Sequence, residues 1–565
     1  MIVVVLFIVL NFCLFLPRYY FNKNNSSFFP TPELFEQKKL NLKKLINRFN
    51  DDIFRFNFEF TLVIIFLILF KKNIPISSAI IIISLFYLLT LLLFFYHYTI
   101  YALYKTYPTI TSDWKLIKQG IQVAKSGYLT TLLIGLTFFI SFIIGLFYSV
   151  RFMIEAIYNS SSNLLLIFCL VLLVITFVFS VYKKINPFRF QKEFDFNFMS
   201  FFTIQFSILL IQSNRFFSKK IKNELSRLCE NSARTIFSIP QKASLISKPN
   251  IFFIAIESYG AILIEDDSYR EKYSSLMKSM SLNLISNDWY IASSLSKSPV
   301  SGGGSWMAYS SFLMGINIAS DLIYRKLFNE RNNYPTQSIL SVLSEIGYNT
   351  SLIAAVGGFE NFTIEWEKTL SFLGTRNVIR FNDLNYTGER FNFGPSAPDQ
   401  YMLQKSRALL KEKYTNHPIS FFVETINSHA KFETPTHLFS NWEECNLASR
   451  EAFKPTNDLD KKINENYFSA MEYQLKIMED FVITEKEDTI FVLFGDHQPP
   501  LLTSKNNSFK TPIHIISKNK AFIEKWYAQG FDCSLEIKSL ENNLNHEDLK
   551  SLFLENFIAS YEKRT

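Results

Sequence analysis

Cysteine is scarce in this chain: five in 565 residues, with no CxxC pair and no Cys/His cluster. That excludes a zinc finger and a dense disulfide framework. Cys229, Cys445 and Cys533 fall in the carboxyl half and allow at most one bridge among themselves. Positive charge is not in excess where a nucleic-acid reader would need it. Up to residue 212 there are 19 basic and 9 acidic residues, and beyond it 39 basic and 41 acidic. The working half is therefore close to neutral, and no nucleic-acid partner is expected. Residues 1–17 carry no charged side chain, and the first, Arg18, follows the apolar run. A cleaved secretory signal opens with a basic stretch, so this run reads as an anchor.

Hydrophobic residues are abundant: 48% of the chain, with 60 Phe. That is too apolar for one ordinary soluble domain and too long for one core. Apolar blocks fall at 1–17, 56–70, 74–104, 128–150, 162–182 and 196–212. A membrane span needs about 20 residues, so five to six transmembrane helices are expected. Basic residues fill 18–55, 105–127 and 183–195, while 71–75 and 151–161 are poorer in them. The positive-inside rule puts the three basic loops in the cytoplasm and everything after 212 outside. His97 and Glu59 lie near probable span ends, where snorkelling accounts for them. The expected organisation is a transmembrane domain over 1–212, a polar, partly helical linker over 213–248 and an extracytoplasmic domain over 249–565. The expected location is the cell membrane, as a multi-pass protein.

From residue 249 strand-like and helix-like segments alternate. "IFFIAI" (251–256), "YNTSLIAA" (348–355), "ISFFVETI" (419–426), "TIFVLF" (489–494) and "PIHIIS" (512–517) are short apolar runs, with helix-like segments such as 336–346 and 399–412 between them. Apolar runs without strict alternation suit strands buried on both faces, hence an α/β domain with a largely parallel sheet covered by helices. Ligands of such sheets collect beyond the carboxyl ends of the strands. There the sequence offers Glu257, then Asn427-Ser428-His429, then Asp496-His497. Mixed oxygen and nitrogen donors suit a divalent ion such as Mn, Zn or Mg. "VSGGGSWMAYSSFLMGI" (300–316) places three glycines before Ser305 and a helix after it. Such backbone lets amides approach an anion, and a hydroxyl beside a metal is an activated nucleophile. Ser301 and Ser310 are rivals on the same stretch.

"NIFFIAIESYG", the Ser305 segment, "TINSHAKFETP" and "VLFGDHQPP" follow the order of the sulfatase-like branch of the alkaline phosphatase superfamily. They most resemble membrane-anchored lipoteichoic acid synthases and phosphoglycerol transferases. The resemblance implies an alkaline-phosphatase/sulfatase-like domain holding one divalent metal ion, Mn first, through Glu257, Ser305, Asp496 and His497. It implies Ser305 as nucleophile, where the group usually has threonine, His429 as substrate-binding histidine and acid, and Asp399 at the start of a family helix. Gly303 and Gly304 would offer amides to the substrate. The family's Asn-Arg pair has no counterpart: "AAVGGFENFTIEWEKT" offers Trp366 as a substrate contact and no arginine, and Arg376 is not at that place. The formylglycine signature of sulfatases and a second complete ligand set are absent; His437 and His514 read as surface or core residues.

The function these readings imply is metal-dependent transfer of a phosphorylated head group through a phospho-serine intermediate. The donor would be a membrane phospholipid, and the acceptor an envelope glycan, polymer or lipid. A phosphodiesterase or phosphatase using water would need the same residues, and a non-enzymatic binding domain would keep the fold without the ion.

Overall fold

The structure, a computed structural model, describes residues 2–21, 56–104, 129–159, 163–182, 202–203, 225–230, 245–334, 336–357, 366–390, 396–430, 432, 438–447, 463–500, 502, 508–540 and 543–562. The chain divides into two compact units, Met1–Ser218 and Lys219–Thr565.

In the first unit the apolar blocks form helices α1 (Ile2–Phe21), α2 (Phe58–Phe70), α3 (Ile76–Tyr104), α4 (Leu129–Asn159) and α5 (Asn163–Tyr182). Two stretches, Ile76–His97 and Thr137–Asn159, are long and apolar enough to cross a membrane; Ile2–Pro17 and Asn163–Val174 are shorter apolar helices. The described residues thus contain two candidate spans where the blocks suggested five to six. At 13 residues α2 is well short of the roughly 20 a span needs. It is bounded by Asn57, whose side chain caps Phe60 N, and by Lys71-Lys72-Asn73. The block at 196–212 lies outside the described residues except for Phe202–Thr203 (β2), which pairs in parallel with Phe56–Asn57 (β1). Polar ties cross the unit: Asn57 N donates to Asn11 Oδ1 at 2.9 Å, and Tyr87 OH to the Leu10 carbonyl at 2.7 Å. His97 is buried rather than turned outward, and Glu59 accepts from Asn57 Nδ2 at 3.2 Å.

The second unit is built on a seven-stranded mixed sheet. Its strands are β3 (Asn250–Ile256), β4 (Tyr290–Lys297), β5 (Asn349–Ala354), β6 (Asn377–Arg380), β7 (Ile419–Glu424), β8 (Thr489–Gly495) and β9 (Lys510–Ser517). Their order is β4-β9-β8-β3-β7-β5-β6. The pairs from β8 through β3, β7 and β5 to β6 are parallel, while β9 runs antiparallel to both β8 and β4. Every residue of β3 and β8 is buried, as a doubly covered central strand requires.

Alternate β3 side chains feed two cores. Phe252, Ile254 and Ile256 share one with helices α6 (Asp267–Ser286), α8 (Asp399–Lys413) and α9 (Ile463–Ile483). Ile251, Phe253 and Ala255 share the other with α7 (Ser305–Met314) and α10 (Leu549–Tyr561). Leu225 and Cys229, in the segment that reads as linker, belong to this second core. The segment leading into β3 is fastened to the end of α10: Leu245 bridges Glu562, and Ile246 N donates to the Tyr561 carbonyl at 2.7 Å.

Candidate active site

The parallel strands bring their carboxyl ends to one edge of the sheet. Ala255 stands opposite Glu424 on β7, and Ile256 opposite Gly495 on β8. Glu257 and the Asp496-His497 pair, about 240 residues apart in sequence, therefore leave adjacent strands at the same level. One donor atom from each of Glu257, Asp496 and His497 lies within 4.8 Å of the others, and all three residues are buried.

Three short-range devices fix Glu257. Its amide donates to Thr425 Oγ1 at 3.1 Å, its carbonyl accepts from Ser428 Oγ at 2.6 Å, and its Oε1 accepts from Ser258 Oγ at 2.7 Å. Ser258 has φ +58°, a left-handed conformation that costs a non-glycine residue of order 1–3 kcal/mol. This turn aims the Ser258 amide at Asp496 Oδ1, 2.8 Å away, while Tyr467 OH holds the Ser258 carbonyl at 2.9 Å.

Gly302, Gly303 and Gly304 all take positive φ, at 72°, 147° and 84°. Gly304 is the N-cap of α7 and Ser305 its first residue. Ser305 Oγ lies 3.3 Å from Glu257 Oε2 and 3.2 Å from His497 Nε2. Among the described residues, the amides of Gly303, Gly304 and Ser305 donate no hydrogen bond and remain for an anion at the helix N-terminus. Ser310 is wholly buried inside α7 with its Oγ unpartnered, and among the described residues no hydrogen bond ties Ser301 to the carboxylates, whereas Ser305 Oγ is bonded to Glu257.

The donor set fits a divalent cation. His497 Nδ1 faces the Gln498 carbonyl at 2.9 Å; a carbonyl only accepts, so Nδ1 carries the proton. The other ring nitrogen then turns toward Asp496 Oδ2 at 3.1 Å and Glu257 Oε1 at 3.8 Å. Asp496 Oδ2 is buried without a hydrogen-bond donor. Converging lone pairs in a buried place call for a positive charge between them. Titration tells the same story. Burial raises Asp496 well above the carboxylate range, helped by the Glu257 charge and opposed by hydrogen bonds from the His497 and Ser258 amides. Burial also works to raise Glu257, but His497, His429 and the hydroxyls of Ser258 and Ser305 outweigh it and hold the group below its ordinary value.

Glu424, which the sequence reading passed over inside the run 419–426, ends β7 beside this group. Its carboxyl is raised well above the usual range by burial first, then by Glu257 and Asp496, with a hydrogen bond from Ser305 pulling the other way. Its Oε1 is buried and unpartnered. Its signal in the sequence was position alone: the last residue of the strand beside β3, which Glu257 follows.

The remaining expected residues fall in different places. His429 follows β7, acts electrostatically on Glu257 and is oriented by its Nδ1 at 2.7 Å from the Ala430 carbonyl. Asp399 starts α8, and its Oδ2 accepts from the amides of Ile426 and Asn427, both at 2.8 Å, shaping the loop that carries His429. Trp366 begins a helix, packs partly buried on the core that contains Met307, and has the Arg380 guanidinium 5.1 Å over its ring. No hydrogen bond ties it to Ser305 among the described residues. Arg376 bonds the Ser344 carbonyl. His514 is a core residue between Tyr259 OH and Ser293 Oγ, and burial drives its pKa down to about 3. His437 lies outside the described residues. All five cysteines are free.

No family model matches the chain, and no curated protein matches it. Solved structures similar to this chain include the following. The lipoteichoic acid synthase LtaP from Listeria monocytogenes is 15% identical, with 57% of this chain and 78% of that one covered at TM-score 0.36. The Streptococcus pyogenes phosphoglycerol transferase GacH, in complex with sn-glycerol-1-phosphate, is 14% identical over 61% of this chain and 94% of that one, TM-score 0.34. The periplasmic domain of EptC from Escherichia coli, in complex with Zn, is 12% identical over 57% and 84%, TM-score 0.35. Likeness of this extent identifies no family for the chain; the chemistry is carried by the geometry of the site.

Proposed function

We propose that the second unit transfers a phosphorylated head group from a membrane lipid to an acceptor hydroxyl on the outer side of the membrane. The observation that carries this reading is the position of Ser305 Oγ. It sits at the N-terminus of α7 beside free backbone amides, and at 3.2–3.3 Å from two members of a buried donor trio. Glu257, Asp496 and His497 would hold a divalent cation, with Ser305 Oγ beside it. A bound cation of this kind polarises phosphoryl oxygens and lowers the pKa of a neighbouring hydroxyl. Manganese is the first choice, zinc or magnesium the alternatives.

The chain's own groups supply the rest. The amides of Gly303, Gly304 and Ser305 face the phosphoryl oxygens and stabilise charge that develops there. Ser305 Oγ bonds to phosphorus and its proton passes to water, while the bond from phosphorus to the lipid alcohol breaks. The lipid alcohol leaves with a proton from His429. An acceptor hydroxyl on a glycan, polymer or lipid then gives its proton to His429 and bonds to phosphorus, and the serine oxygen leaves and takes back a proton from water. Phosphoglycerol and phosphoethanolamine are the head groups to distinguish.

Ser305→Ala should lower transfer from labelled phospholipid by about 1,000-fold or more while folding and manganese uptake persist. Transfer at the wild-type rate would refute the nucleophile. Mass spectrometry of the adduct trapped on Ser305 names the head group, and release of free head group to water instead of acceptor would identify a hydrolase.

A further inference from the structure

We propose that Gln498 is a positioning residue, which sets the three segments of the site relative to one another through one buried amide. Its side chain is 3% exposed. The amide nitrogen donates to the Lys510 carbonyl at 2.9 Å, where β9 begins. The amide oxygen accepts from Ile262 N at 3.2 Å, at the start of the short helix that follows the Glu257 turn. With the side chain anchored at both ends, the direction of its own peptide carbonyl is fixed. That carbonyl accepts twice, from Gly302 N at 2.9 Å and from His497 Nδ1 at 2.9 Å. The first bond holds the glycine loop that ends in Ser305. The second fixes the His497 tautomer, so that the Nε2 lone pair faces Ser305 and Asp496. A hydrogen bond that sets the free nitrogen of a ligating histidine governs both its orientation and its basicity.

Gly260 provides an independent handle on the same clasp. A Cβ there would lie 2.1 Å from the Gln498 amide oxygen and 2.8 Å from the Pro499 ring. Gly260→Ala therefore displaces the amide without changing any group that faces the reacting atoms.

This inference rests on Glu257, Asp496 and His497 binding a divalent cation. The test uses the full chain in detergent, with wild type, Gln498→Ala, Gly260→Ala and the double variant. Four quantities are read: manganese affinity by calorimetry, kcat and KM on phospholipid, melting temperature, and the ¹⁵N signals of the histidine rings. Gln498→Ala should weaken manganese binding about 10–100-fold and lower kcat similarly, with KM little changed. The His497 nitrogen signals should move toward mixed tautomers. Gly260→Ala should act in the same direction, and the double variant should be no worse than Gln498→Ala, because both act through one clasp. Manganese affinity and kcat within about two-fold of wild type, or losses that add in the double variant, would overturn the proposal. Should Gln498→Ala not fold, Gly260→Ala carries the same readings. Wild type that takes up neither manganese nor zinc nor magnesium sinks the cation reading first; unchanged His497 signals in Gln498→Ala then overturn the positioning role separately.

Discussion

Asp399 shows how a buried carboxyl can serve structure rather than chemistry. Burial, then the Glu257 charge, raises it to about 7, against the pull of the Asn427 and Ile426 amides and Gln474. An unfolded aspartate titrates near 3.9, so between about pH 4 and pH 7 the folded chain binds this proton more tightly. The stabilisation is present below about pH 4 and is lost as pH rises to about 7. Asp399 Oδ2 accepts from the Ile426 and Asn427 amides, and the oxygen of an amide at that position can keep both bonds. Asp399→Asn should therefore melt higher than wild type at pH 8 and lose part of the slope between pH 4 and 7. Melting temperatures of the two proteins across that range check it; parallel profiles would count against the assignment.

At the scale of elements, the junction between the glycine loop and α7 decides where Ser305 points. Gly304 caps the helix at φ +84°, and a Cβ there would come within 2.6 Å of Met307 Cε. Gly304→Ala should cost of order 1–3 kcal/mol in denaturant unfolding and lower turnover more than it raises KM. Equal stability and turnover would show the left-handed cap to be dispensable. Elements of this kind were legible to different degrees in the sequence. β3 and β8 announced themselves as unbroken apolar runs, and the residues after them proved to meet. β4 was invisible because "YIASSLSK" is rich in serine; Ser293 and Ser296 are buried by bonding His514 and His546, residues some 220–250 positions away. The reversed direction of β9 has no local signature, since strand direction is set by the partner chosen across the sheet. Glu424 was hidden by its apolar neighbours, and Gln498 by spending its side chain on main-chain groups.

At the scale of the whole molecule, two units should respond differently to a cation. Glu257, Asp496 and Glu424 are brought together in the second unit, and the Glu257 charge acts on both of the others. Their mutual repulsion is relieved by a divalent ion that binds the folded state alone, worth about 2.7 kcal/mol at a hundredfold excess over Kd. Calorimetry of the full chain should show one transition that rises with added manganese and falls back with chelator, and another, from the helical unit, that does not move. A response shared by both transitions, or absent from both, would contradict the placement of the ion. The bond between Ile246 and Tyr561 has a further consequence. It ties the lead-in to β3 to the last turn of α10, so fraying of that helix end would loosen the entry to the central strand as well.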